Sequence, residues 1–306
     1  MNPGPLISIG IISFNNDSYI SECIESCLSQ TYKNIEIIIA DDASTDNSVQ
    51  IIKEYALLYP SKITLISSQE NYGIATNFNN AVKASKGEWF KPIACDDILF
   101  DDCVENYMKE IFKRNLTSGI LFSKMQYLGL SSKKNISTEM PEIFKLDPCK
   151  KIKSILIDNT LPAPTAFFNM KTLYKLGLSN ENYAFLEDYP LLLKAILNNV
   201  NLEFVDIISV KYRHHDSISN PKNKIGNSKF YKSLLNFSRN EIWYRRTGLS
   251  KLKNIDDFIS INGTLALIKI FSNKKTLLYR IFSFFLRVLK PYSMIKKILE
   301  ILHFSR

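Results

Sequence analysis

Three acidic pairs stand where this chain could do chemistry. Asp41–Asp42 closes the run IEIIIADD, Asp96–Asp97 closes EWFKPIACDD, and Glu187–Asp188 lies inside ENYAFLEDYPLLLKAILNN. Carboxylates at the end of a buried apolar run serve one of two ends. They hold a divalent cation, or they cap the following helix, whose orphan N–H groups and dipole also attract negative charge. Asp101 and Asp102 follow Asp96–Asp97 in FKPIACDDILFDD and precede the helix-like run CVENYMKEIFKRN, so capping accounts for them. For Asp96 and Asp97 the residues alone leave both readings open. Glu187–Asp188 opens a helical pattern, which by itself is a match to the helix dipole. Arg213 precedes His214 and His215, two of only three histidines in the chain. Such a cluster is either an exposed basic turn or a phosphate and metal contact.

Positioning these groups requires a sheet. LISIGIISF is a continuous apolar run of the buried-strand type, and NNDS after it supplies turn and cap chemistry. YISECIESCLSQ places Ile20, Cys23, Ile24, Cys27 and Leu28 at helical spacing. IEIIIA, ITLISS and EWFKPIA complete four strands, with helices expected in VQIIKEYALLY and NYGIATNFNNAVKASKG between them. Strands apolar on both faces, alternating with helices, imply a parallel sheet covered on both sides. Ligands of such sheets gather at the carboxyl ends of the strands, where Asp41–Asp42 and Asp96–Asp97 both fall. From about residue 103 the pattern is mixed. GILFSKMQYLGL and LEFVDIISVKYRHH read as strands, SSKKNISTEMPEIFKLDP as a loop, and Glu187–Asp188 as the entry to an amphipathic helix. After about residue 220 the chain is predominantly helical.

The 306 residues suffice for one large α/β domain or two smaller ones, and 45% apolar with 12% aromatic residues excludes a disordered chain. Five cysteines without framework spacing read as buried free thiols in a reducing compartment. MNPGPLISIGIISFNN lacks a basic n-region and reads as a first strand rather than a signal peptide. The net charge of +9 is concentrated: from Lys274 to Arg306, eight cations face Glu300 alone, which leaves +2 for the other 273 residues. Within TLLYRIFSFFLRVLK, Arg280, Ser283, Arg287 and Lys290 share one helical face, and leucines, isoleucine and phenylalanines cover much of the rest. MIKKILEILHF repeats the arrangement. Apolar helices with a cationic face suit the interface of an anionic membrane, so the chain is expected in the cytoplasm, peripheral on the inner face of the cell membrane. The alternative packs these helices on the rest of the chain with the basic face in water. A basic segment, rather than a basic protein, gives no reason to expect nucleic acid as a partner.

The order of the motifs resembles glycosyltransferase family 2, the nucleotide-sugar-dependent enzymes of the GT-A fold. The resemblance rests on SIGIISFNNDSYISECIESCLSQTYKNIEIIIADDASTDNS (8–48), ENYGIATNFNNAVKASKGEWFKPIACDD (70–97), FLEDYPLLLKA (185–195) and YRHHDSIS (212–219). It implies an α/β chain with a Rossmann-like, mostly parallel central sheet flanked by helices. Residues 1–100 would form the nucleotide-sugar-binding half, 101–219 the acceptor-binding half, and 220–306 a basic, amphipathic helical extension. It further implies that Asp41 meets the nucleotide base, since a carboxylate can accept the imide N–H of uracil. Asp42 and Ser44 would shape that turn, with Ser13 and Phe14 lining the same pocket. Ser44 or Asp46 would also cap the next helix. By the same resemblance Asp96 contacts the ribose and Asp97 ligates Mn2+ or Mg2+, which would neutralise a departing diphosphate. His215, rather than His214, would reach the metal or the diphosphate, and Arg213 the phosphate oxygens. Asp188 would be the catalytic base and Glu187 would support acceptor orientation, with PAPTAFF (162–168) at the acceptor site.

Two departures from the family pattern stand out. Ala94–Cys95 replaces a further aspartate of the commoner D-A-D-D form, and Asn77-Phe78-Asn79 stands where many members carry A-R-N. A cation near the nucleotide would then come from Lys83 or Lys91. The implied reaction is inverting transfer of a sugar, from a UDP-linked donor, to a glycan or polyprenyl-diphosphate-linked acceptor of surface polysaccharide. A receiver-type signalling domain would close near residue 125 and leave Glu187–Asp188 unexplained. A dinucleotide oxidoreductase would carry G-x-G-x-x-G where this chain has F-N-N-D-S. The remaining alternative is a catalytically silent, membrane-docked sugar-nucleotide-binding module, which donor hydrolysis would separate from an enzyme.

Overall fold

In the computed structural model of the chain, which describes residues 4–129, 139–213 and 224–304, the apolar runs become strands of one sheet. The strands are β1 (Ile7–Ser13), β2 (Ile35–Asp41), β3 (Ile63–Ser67), β4 (Trp89–Ala94), β5 (Ile98–Leu99), β6 (Ile120–Leu128), β7 (Phe167–Asn169) and β8 (Leu202–Arg213). They lie in the order β3-β2-β1-β4-β7-β6-β8-β5. The first four pair in parallel, as β1 with β2 and β4, and β2 with β3. β7 then runs antiparallel to both β4 and β6, while β6 and β8 are again parallel. The registers Ser13↔Asp41 and Ile12↔Ala94 align the carboxyl ends of β1, β2 and β4 along one edge.

Helices α1 (Ile20–Leu28), α2 (Ser48–Leu58), α3 (Ile74–Ala84) and α4 (Cys103–Arg114) follow β1, β2, β3 and β5 in turn. Ile20, Cys23, Ile24 and Cys27 of α1 are wholly buried, as their spacing implied, and join Ile7, Ile9, Ile11, Ile37 and Ile39 in the core. Gly10 belongs to this packing. A Cβ there would sit 2.2 Å from the Phe90 ring, so the strand needs glycine for its neighbour to fit. Trp89 stacks on Phe167 at 5.6 Å, and Tyr107 stacks on the same ring at 4.7 Å. Those contacts seat the three-residue β7 inside the sheet.

The chain divides into two compact units, Met1–Ile152 with Thr160–His214, and Lys153–Asn159 with His215–Arg306. The first holds the sheet together with α6 (Met170–Leu176) and α7 (Asp188–Leu197), and α5 (Pro148–Ile157) precedes them. The segment read as the loop SSKKNISTEMPEIFKLDP lies outside the described residues up to 138, then forms a short turn at Glu142–Lys145 and enters α5.

The second unit is helical, with α8 (Ser228–Phe237), α9 (Leu252–Ile270), α10 (Leu277–Val288) and α11 (Pro291–Phe304). Buried polar groups organise it. The Arg246 guanidinium donates to Leu156 O at 2.8 Å and to Asp257 at 2.6 Å. Asp256 accepts from the N–H groups of Tyr292 and Ser293, at 3.1 and 2.9 Å, and so caps the start of α11.

Candidate active site

The ends of β1 and β2 are joined through side chains. Asp41 is fully buried and accepts from Ser13 Oγ at 2.9 Å, Ser44 N at 2.8 Å and Ser44 Oγ at 2.6 Å. Three internal donors leave this carboxylate one lone-pair direction, on Oδ1. Phe14, beside Ser13, is 39% exposed. Asn15 binds back across the turn, its Oδ1 accepting Thr45 N at 2.7 Å. Both Asn15 and Ala43 hold positive φ, 50° and 61°. A left-handed alanine costs about 1 kcal/mol or more, and such strain is kept where the surroundings fix the turn. Asp46, proposed above as a cap, accepts Ser48 N at 3.0 Å at the start of α2.

Asp42 faces another loop. Its oxygens accept Tyr72 N at 2.9 Å and Gly73 N at 2.8 Å. Gly73 has φ of 97°, and a Cβ there would sit 2.4 Å from Ala184 O. Ala75 N donates to that same carbonyl at 3.1 Å. The loop containing Ala184 leads directly into Glu187, and Ser179 Oγ donates to Glu187 O at 2.8 Å. The end of β2 is thereby stitched to the entry of α7. Beneath this edge the Asn77 amide donates to Ser13 O at 3.1 Å and Ala40 O at 2.9 Å. Its Oδ1, and that of Asn71, are buried without a partner. Buried acceptors left empty mark positions for a water or a ligand donor.

At the end of β4, Asp97 is 2% exposed and accepts Arg213 N, at the end of β8, at 2.8 Å. Burial pushes its carboxyl up to about 7, and the neighbouring charge of Asp96 adds to the rise. Asp96 is half-buried, and its backbone oxygen accepts Arg213 Nε at 2.9 Å. The Arg213 guanidinium, expected on phosphate, pairs instead with Glu22 and lies over the Tyr19 ring at 4.5 Å. Two adjacent carboxylates under such strain suit a hard cation, which would relieve the desolvation and the repulsion together. Among the described residues no cluster of three His, Cys, Asp or Glu side chains could hold an ion. His215, assigned above to the metal, lies outside the described residues, as does His214.

Glu187 and Asp188 both keep part of their surface open, yet burial raises both carboxyls, Glu187 to about 8 with the Asp188 charge as second cause. Asp188 Oδ1 accepts Tyr189 N at 2.6 Å, within the first turn of α7, which favours its ionised form. Titration is a property of the pair, and the arrangement favours a proton on Glu187 and charge on Asp188. Tyr212 was not singled out from the sequence. Burial raises its phenol, and the charges of Asp97, Asp96 and Asp188 all contribute, so it stands in the field of both acidic pairs. Its place next to Arg213 in YRHH was the available signal.

Other expectations are corrected. Lys91 is fully buried, donates to Pro92 O and Pro164 O, both at 2.8 Å, and is pushed down to about 8 by burial. It presents no cation to a nucleotide. Lys83 is exposed and pairs with Glu181 at 3.7 Å. Asp102 stands at the N-cap of α4 but its side chain makes no cap hydrogen bond, and Asp101 accepts Ser29 Oγ at 2.8 Å instead. The cysteines are all free; Cys23, Cys27, Cys95 and Cys103 are buried, whereas Cys149 is exposed. Burial holds the Cys95 and Cys103 thiols up at about 12, so both stay protonated and inert.

Comparison with known proteins bears on this edge. The family model for glycosyl transferase family 2 matches residues 8–168. A protein of Rickettsia typhi described as an uncharacterized glycosyltransferase is 30% identical over 218 residues, which are 70% of this chain and 65% of the relative. The chain spans between 31% and 65% of the first three curated relatives it matches. The S. aureus protein TarS, residues 1–349 in complex with UDP-GlcNAc, superposes with a TM-score of 0.56 at 16% identity, over 98% of this chain and 92% of TarS. A mannosyltransferase of Pyrobaculum calidifontis, in complex with GDP-Man and Mn2+, gives 0.54 at 16% identity over 96% of this chain and 83% of its own. At such identity the two structures show a shared fold alone, the GT-A fold.

Proposed function

The chain belongs to glycosyltransferase family 2, and from that premise we propose that it transfers a sugar from a UDP-linked donor to a glycan or polyprenyl-diphosphate-linked saccharide. Residues 1–100 serve the donor and 101–219 the acceptor. The observation that carries this reading is the continuous link from Asp42 through Gly73 to Ala184, because it ties the nucleotide end of the sheet to the acidic entry of α7. An enzyme that must bring a donor against an acceptor needs that rigidity. The UDP-GlcNAc bound by TarS supports a uridine donor, and the Mn2+ bound by the mannosyltransferase supports a divalent cation.

In this reading Asp41 accepts the imide N–H of uracil through its remaining lone pair, which requires the nucleotide to open the turn that encloses it. Ser13 and Phe14 border the base, Asp42 and Ser44 hold the turn, and Asp96 meets the ribose. Asp97 would hold Mn2+ or Mg2+, with His215 as a further ligand, and the cation would supply positive charge for a departing diphosphate. Arg213 fixes the Asp96–Asp97 segment to α1 through Glu22, and its distance from phosphate depends on that pair opening. Asp188 takes the proton from the acceptor hydroxyl as its oxygen bonds to C1 and the C1–phosphate bond breaks. A single displacement inverts the anomeric centre, so an α-linked donor gives a β-linked product. Glu187, protonated, donates to the acceptor and orients it.

The acceptor belongs to a bacterial surface polysaccharide, O-antigen or capsule, assembled at the inner face of the cell membrane. The purified full chain is tested against a panel of nucleotide sugars with Mn2+ and with chelator. Metal-dependent turnover of a UDP-sugar is expected. Binding of UDP without turnover of any donor would establish the silent binding module instead.

A further inference from the structure

Helix α10 turns its apolar side outward. None of its residues is buried. The residues least exposed along it are Tyr279, Ser283 and Leu286, one stripe at spacings of four and three, which Lys290 continues just beyond the end of the helix. Leu286 lies against Gly263 of α9, where a Cβ would come within 2.6 Å of it, and Tyr279 meets the Phe271 ring edge-on at 6.4 Å. The packed stripe thus includes a serine and a lysine that the sequence pattern assigned to the polar face. The opposite stripe, Leu278, Ile281, Phe285, Val288 and Leu289, remains 46% to 61% exposed. In α11, Met294 and Ile298 are exposed at 51% and 54%. A helix that serves only its own domain buries its apolar stripe, so this one is arranged for something outside the chain.

Charge selects the partner. Arg280 and Arg287 flank the apolar stripe, and α10 has no acidic residue. Residues 274–306 carry eight cations against one anion, so a second copy of the same face would meet it with like charge. An anionic lipid surface answers both properties, taking apolar side chains among its acyl chains and cations among its headgroups. The 12 residues of α10 extend about 18 Å, short of the ~30 Å needed to span a bilayer, so the helix lies in the plane of the interface. Asp256 of α9 fixes where α11 begins.

We propose that α10 and α11 dock this unit on an anionic phospholipid surface, with Leu278, Ile281, Phe285 and Leu289 inserted and Arg280 and Arg287 at the headgroups. This rests on the reading above that the acceptor is lipid-linked, but it is measured without catalysis. The full chain is co-sedimented with vesicles of phosphatidylglycerol and, separately, of phosphatidylcholine. Binding to phosphatidylglycerol at low salt, weakening as salt rises, is expected, with little to phosphatidylcholine. The L278D/F285D and R280E/R287E variants change exposed side chains, so their melting and UDP affinity should match the parent while vesicle binding falls about tenfold or more. Full chain that ignores phosphatidylglycerol, or L278D/F285D that binds it unchanged, overturns the proposal. So does a parent dimer in sedimentation velocity that L278D/F285D converts to monomer with vesicle binding intact, because the face then belongs to a second copy. Loss of UDP binding with vesicle binding retained would instead remove the sugar-transfer reading and leave the docking surface.

Discussion

Asp41–Asp42 and Asp96–Asp97 are the same dipeptide at the same edge of one sheet, differently compensated. The first pair accepts hydrogen bonds from Ser13, Ser44, Tyr72 and Gly73, and those bonds build two turns. In the second pair Asp97 takes the Arg213 N–H, and burial beside Asp96 still pushes its carboxyl up to about 7. Where the chain supplies donors to its buried carboxylates, they act as architecture. Where burial outruns the donors supplied, as at Asp97, the carboxyl is left raised, the state that the proposed cation would relieve. Glu187–Asp188 sides with the second kind, since burial raises both carboxyls.

The largest effect should come from that third pair. Asp188→Asn keeps the shape of the side chain but cannot take a proton, so transfer should fall ~10²–10⁴-fold with UDP and metal affinity retained. Less than a tenfold loss would move the base to Glu187. Transfer by the parent should rise with pH as Asp188 gives up its proton and fall again as Glu187 loses its own at about 8, and the rising limb should be absent in Asp188→Asn.

Asp97→Asn should abolish metal-dependent turnover and, without metal, make the protein more stable. The sign follows from linkage. A carboxyl near 3.9 in the unfolded chain and about 7 in the folded one binds its proton more tightly when folded. Its favourable contribution is fully present below the unfolded pKa and is lost as pH rises through about 7. Denaturant melts of the parent at pH 8, in chelator, should therefore lie about 2–4 kcal/mol below the variant, and the gap should close near pH 4. A variant less stable than the parent at pH 8 would put Asp97 with the architectural pair.

Asp42→Ala should behave oppositely, costing about 2–3 kcal/mol at neutral pH because the N–H groups of Tyr72 and Gly73 lose a charged acceptor. Equal signs for Asp42→Ala and Asp97→Asn would dissolve the distinction between the pairs.

How much of this was legible depends on how local the cause is. Strands β1 to β4 and helices α1 to α4 follow from apolar runs and helical spacing, which act over a few residues. The three residues of β7 hide in PAPTAFFNMKTLY, because that strand exists through its flanking partners, Trp89–Phe90 and Ile120–Leu121. The motifs identified the acidic pairs, but the degree of compensation at each depends on Gly73, Ala184 and Arg213, far away in sequence. Lys91 sits in an apolar run, where the sequence does not reveal that two carbonyls will hold it. At α10 periodicity gives two faces, and only a partner such as Gly263 decides which one packs.

The smallest effect tests the boundary between the two kinds of carboxylate. Asp41 looks architectural, with Ser13 and Ser44 around it and no exposed surface. The proposed contact with uracil asks it to do the second job through its last lone pair. Asp41→Asn retains one carbonyl oxygen for the Ser44 N–H, so the turn should survive with modest loss of stability. If Asp41 meets the base, UDP affinity should drop about tenfold, as a charged acceptor of the imide N–H gives way to a neutral one, while kcat at saturating donor stays near the parent value. Such uniform binding raises KM without touching the chemical step. CDP should then lose less than UDP, because cytosine offers no imide N–H for a carboxylate to accept. A variant with unchanged UDP affinity and a lower melting point would leave Asp41 wholly on the architectural side and return base recognition to Ser13, Phe14 and the empty acceptors of Asn71 and Asn77.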